Sequence, residues 1–104
     1  MRKLKLMADF DCFPLWENLK EGVDNIDPNS LAISEDLKES LNRWAATYNA
    51  TLNQDYPPDS GFLTEEKAEN FEQEGKRMFG ELKQQLMNGF KFSYYSQKES
   101  KLYD

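Results

Sequence analysis

The twelve residues from Asp24 to Glu35, DNIDPNSLAISE, begin and end on a carboxylate at the length of a calcium-binding loop. The interior does not follow through. Ile26 and Pro28 stand where such a loop places oxygen ligands, and Asn29 stands where glycine makes its sharp turn. Asp27-Pro28-Asn29-Ser30 reads instead as a turn. Cys12 is the only cysteine, and the chain has no histidine. A nucleophilic thiol wants a base partner or an electropositive setting, yet Cys12 has Asp9, Asp11 and Glu17 as neighbours, which raise a thiol pKa. Cys12 is therefore a small half-buried apolar residue. Without histidine the usual general base and the commonest transition-metal ligand are also missing. Two carboxylates suffice for glycoside hydrolysis, but not without a sugar cleft that so small a domain would struggle to build. There is no glycine-rich phosphate loop, and Asn49-Ala50-Thr51 matches a glycosylation acceptor by chance. No enzyme, no catalytic residue, no metal and no cofactor are expected.

What remains is charge and aromatic surface. The chain carries 13 Lys and Arg against 19 Asp and Glu, a net charge of −6, which repels phosphate backbones and favours a basic partner. The acids are segregated. Residues 9–27 hold Asp9, Asp11, Glu17, Glu21, Asp24 and Asp27 against Lys20, and residues 55–74 hold seven acids against Lys67. If these regions adjoin, they form an acidic face with Trp16 and Tyr56 as aromatic anchors. The expected partner-binding residues are Asp11, Trp16, Glu17, Glu21, Asp55, Tyr56 and Asp59.

Two helices must position this surface. Ser34 is an N-cap with Glu35 and Asp36 behind it, and Leu37, Leu41, Trp44, Ala45, Tyr48 and Leu52 repeat at helical spacing. Thr64 caps a second helix, with Glu65 and Glu66 following. Its apolar face is Ala68, Phe71, Gly75, Met78, Phe79, Leu82 and Leu86, ending at Asn88-Gly89. Gly75 lies inside that face, where a glycine costs about 1 kcal/mol relative to alanine. A close crossing should explain it, by Trp44, by Tyr48 or by the Phe13–Trp16 stretch. Gly80 has no such explanation.

Leu4, Leu6 and Ala8 alternate with Lys3, Lys5 and Met7, and Phe90, Phe92 and Tyr94 alternate with Lys91, Ser93 and Tyr95. The expected fold is α+β, two amphipathic helices on a small antiparallel sheet made by the N- and C-terminal strands. Residues 1–95 form one domain, and 96–104 a polar tail. Pro14 bars residues 9–18, DFDCFPLWEN, from being a clean strand, so they read as an irregular crossover with Phe10 and Phe13 inward and Asp11 and Glu17 outward.

A chain of 104 residues with one cysteine and no long apolar run reads as a cytosolic domain without a membrane span. The segments KLMADFDCFPLWE, NIDPNSLAIS, SLNRWAATYNATLN and DSGF, over most of residues 3–95, resemble small bacterial immunity proteins of toxin–immunity systems, such as contact-dependent growth inhibition. The resemblance implies a protein partner, the cationic toxic domain of a large exported protein, often a nuclease, bound by a monomer. It assigns no binding residue. The competing expectation is a non-catalytic regulatory or adaptor protein, monomeric or homodimeric, that binds another cellular protein.

Overall fold

The computed structural model describes residues 2–53, 55 and 61–104. In chain order these build β1 (Arg2–Leu6), β2 (Leu15–Leu19), β3 (Gly22–Ile26), a short 3-10 turn (Pro28–Ser30), α1 (Glu35–Asn49), α2 (Glu65–Gln85), β4 (Phe90–Ser96) and β5 (Lys101–Tyr103). The strands form one sheet in the order β3-β2-β1-β4-β5. The α+β architecture is as expected: both helices lie on one face of a sheet built from the two ends of the chain.

The sheet is mixed. The outer pairings are antiparallel, but β1 and β4 run parallel, with Arg2 opposite Phe90 and Leu6 opposite Tyr94. Between them come the β2–β3 hairpin, a crossing and two helices. β3 ends level with Leu6, and residues 27–34 carry the chain back so that Ser34 meets Gln85. α1 and α2 then run out and return, so β4 starts at the same end as β1. The alternation in RKLKL explains why β1 can occupy the centre. Leu4 and Leu6 face the helices and are almost fully buried, while Lys3 and Lys5 face the other way.

The core is a three-layer contact of α1, α2 and β4. Trp44 stacks on Phe71 at 4.3 Å and donates its indole N–H to the Phe71 carbonyl. Tyr94 lies against both Trp44 and Phe79. A β-carbon built on Gly75 would sit 2.6 Å from the Tyr94 hydroxyl and 2.8 Å from Trp44 Cζ2. The close crossing over Gly75 is thus real and Trp44 is one of its partners. The other is Tyr94 rather than Tyr48 or the Phe13–Trp16 stretch. Around Gly80 there is open space.

Both helix caps form as read: Ser34 accepts from the Leu37 amide and Thr64 from the Lys67 amide. α2 ends at Gln85, a little before Asn88-Gly89, where Gly89 takes the left-handed conformation at φ +92°. Two regions differ from expectation. Residues 15–26 form a hairpin, because Pro14 precedes β2 instead of interrupting it. The segment read as a polar tail contains β5, whose Tyr103 pairs with Tyr94. Asp24 to Glu35 does not form a loop either. It runs through the end of β3, a turn capped by the Asp27 side chain, and the start of α1. Among the described residues no helix is long and apolar enough to cross a membrane.

Candidate functional site

Glu17 and Trp16 are neighbours in β2 and therefore point to opposite faces of the sheet. Glu17 turns toward the helices beside Leu4 and is buried. Arg2 grips it with two bonds, Nε to Oε2 at 2.8 Å and Nη2 to Oε1 at 2.9 Å, and lies over the Phe90 ring at 4.7 Å. The guanidinium holds the Glu17 carboxyl below its ordinary pKa. Glu17 is thus inward and engaged, not outward. Trp16 lies half-buried on the open face, its indole N–H donated to the Met7 carbonyl.

Asp11 is exposed at the end of the molecule where β1 finishes, in the left-handed region at φ +57°, with its amide donated to Asn49 Oδ1 at the end of α1. Phe10 turns inward and stacks on Tyr48 at 4.6 Å, whereas Phe13 is 43% exposed and is held at its backbone by the Asn25 amide. The Cys12 thiol is pushed up by burial and by Asp9 and Asp11, as its neighbours led one to expect. Asp55 is exposed a few residues beyond α1. Glu21 lies in the β2–β3 turn, at the far end of β2 from Leu15. Tyr56 and Asp59 fall outside the described residues. Of the expected set, then, Asp11 lies exposed beside the end of α1, Trp16 is half-buried on the open sheet face, Glu17 is buried against Arg2 and Glu21 stands in the β2–β3 turn.

The end of the molecule that carries Asp11 has more acid than the expected set contains. Phe10, Tyr48, Phe62, Thr64, Glu65 and Gln97 line one cleft, which brings the start of α2 beside Phe10, the residue between Asp9 and Asp11. Farther along α2 the acids are already engaged: Glu69 with Lys98, and Glu74 with Arg77. Asp9, Asp11, Asp55, Glu65 and Glu66 form no ion pair among the described residues.

One of the seven acids of residues 55–74, read as part of the acidic face, is instead buried in the core. Glu72 is 2% exposed and accepts from both the Tyr94 hydroxyl and the Ser96 hydroxyl. Burial and the Glu72 carboxylate hold the Tyr94 phenol far above its ordinary pKa, so it stays a donor. The signal was spacing: Glu72 is four residues after Ala68 and three before Gly75, on the stripe that faces the core. Saturated by two donors, Glu72 ties α2 to β4. Among the described residues, no three of His, Cys, Asp and Glu gather as metal ligands would.

No curated protein matches the chain. The family described as Serratia CdiI immunity protein-like matches residues 2–97, from the first residue of β1 to just past the end of β4. That span takes in the central strand pair, both helices and the acidic end, all but β5 of the architecture described above. The chain belongs to this family of CdiI-like immunity proteins.

Proposed function

We propose that this protein is a non-catalytic immunity protein that binds, as a monomer, a basic toxin domain and neutralises it by covering its active site in the cytosol. Family membership over residues 2–97 carries the reading. The unpaired acids at the end of the molecule support the sign of the partner's charge, and a nuclease is the kind of toxin whose substrate site is cationic. Asp11, Asp55, Tyr56 and Asp59 are the contacts we assign to this role. Asp11 and Asp55 are exposed and form no ion pair among the described residues. Acids on irregular segments around a rigid helix pair suit capture of a basic surface, because opposite charge steers the encounter.

The test is co-expression with the toxin domain encoded beside this chain's gene. Growth should be restored, and the purified toxin's activity should titrate to zero at equimolar immunity protein. Absence of both rescue and micromolar binding would overturn the reading. Binding without loss of nuclease activity would leave an adaptor in its place.

A further inference from the structure

The sheet face turned away from the helices has no layer over it. Strand alternation places Lys3 and Lys5 of β1, Trp16 of β2, and Lys91 and Tyr95 of β4 on this face. Among the strand residues pointing this way there is not one carboxylate, in a chain whose net charge is −6. Lys3 and Lys91 are directly opposite each other in the parallel β1–β4 pairing. Adjacent strands are about 4.8 Å apart, so two cations are held side by side. Neither of them, nor Lys5, has an ion pair among the described residues. Like charges opposite one another weaken a sheet. Beside the lysines lie apolar surfaces, with Val23 and Leu102 each 54% exposed.

We infer that this lysine and aromatic face docks an acidic shoulder of the same toxin domain, so that the immunity protein grips its partner across two adjoining surfaces of opposite charge. The inference rests on the functional reading above. Charge complementarity selects the occupant. A second copy meeting the face symmetrically would press lysine against lysine. Nucleic acid would find three cations in a strongly negative field, too few for counterion release to drive binding. Continuity ties the face to the toxin: Met7 and Phe13 connect it to Asp9 and Asp11 around one corner, and Trp16 is pinned to Met7 there. Area points the same way. Five strands of this length present roughly 300 Å² of flat face, well below the roughly 800 Å² per partner of a stable interface. The acidic end supplies the remainder.

The experiment is lysine acetylation footprinting by mass spectrometry, on the free chain and on its complex with the toxin domain encoded beside it. On binding, Lys3, Lys5 and Lys91 should acetylate several-fold more slowly, while Lys83 on the outer surface of α2 keeps its rate. Lys91→Glu should slow association about tenfold at low salt, and hardly at high salt, with thermal unfolding no lower than in the parent. A complex in which the three lysines react as in the free chain overturns this inference alone. No complex at micromolar concentration removes the functional reading and this inference with it. Protection that grows with concentration in the free chain assigns the face to a second copy, and protection by a short oligouridine assigns it to single-stranded RNA. Either outcome overturns it.

Discussion

Replacing Gly75 and Gly80 of α2 by alanine should move stability in opposite directions. In free space the substitution gains about 1 kcal/mol of helix propensity. Gly80 has that space, with nothing within 4 Å of an added methyl. At Gly75 the methyl would lie 2.6 Å from the Tyr94 hydroxyl and 2.8 Å from Trp44 Cζ2. Contacts of this kind settle at about 3.5–4.0 Å, so both rings must retreat by about 1 Å. Neither is free to move. Trp44 is stacked on Phe71 and bonded to its carbonyl, and Tyr94 is bonded to Glu72. Overpacking costs about 1–3 kcal/mol, and a weakened bond to a buried carboxylate adds about 1. Gly75→Ala should therefore lose about 1–3 kcal/mol after the propensity gain, and Gly80→Ala should gain up to about 1. Urea unfolding measures both, as midpoints that move apart at constant slope. Tyr94→Phe removes the nearest atom, so Gly75→Ala should cost less in that background, with a coupling of about 0.5–3 kcal/mol. A Gly75→Ala midpoint at or above the parent's would refute the close crossing.

Glu72→Leu should cost about 2–5 kcal/mol by leaving the Tyr94 and Ser96 hydroxyls without an acceptor, more than Glu72→Gln, as read by thermal melts. Because Arg2 lowers the Glu17 carboxyl, its stabilisation is present above the ordinary carboxylate pKa of about 4.3 and is lost as pH falls through the lower folded value. Glu17→Gln should accordingly be less stable at neutral pH and lose less on acidification, checked by urea midpoints from pH 7 to about 3. Lys91→Glu should raise stability by about 0.2–1 kcal/mol by turning the Lys3–Lys91 repulsion into attraction. Asp11→Lys with Asp55→Lys should slow toxin association and flatten its salt dependence without lowering the melting temperature; unchanged association at low salt would exclude the acidic end as the contact.

The helices were legible because each carries its own punctuation: a Ser or Thr cap, acids behind it, and an apolar stripe at helical spacing. β1 and β4 were legible from alternation alone, whereas the three-residue β5 was hidden in a polar stretch. The β2–β3 hairpin was not, because Glu17 occupies an inward position and Trp16 an outward one, which inverts the pattern a half-buried strand normally shows. Only Arg2, fifteen residues away, makes an inward Glu17 tolerable, and no local window contains both. The two-residue gap between LWENL and GVDNI was the available cue. The parallel sense of β1 and β4 was hidden for a related reason, since direction depends on how two helices carry the chain and not on either strand. At the site, sequence located the acids but not their engagements. Which carboxylates meet Arg2, Lys98 or Arg77, and which stay free, is decided by packing.

The central strand pair sets a clock on protection. β1 is made first, yet its second neighbour in the sheet begins 88 residues later, Arg2 facing Phe90. At roughly 5–20 residues per second of synthesis, the edge of β1 waits about 4–18 s for β4 to appear. Until then Leu4 and Leu6 lack one flank of their sheet, and Tyr94 and Ser96 are not there to bond Glu72. No shorter nascent chain contains the finished fold. Only chains already translated past β4 can therefore carry the finished central strand pair.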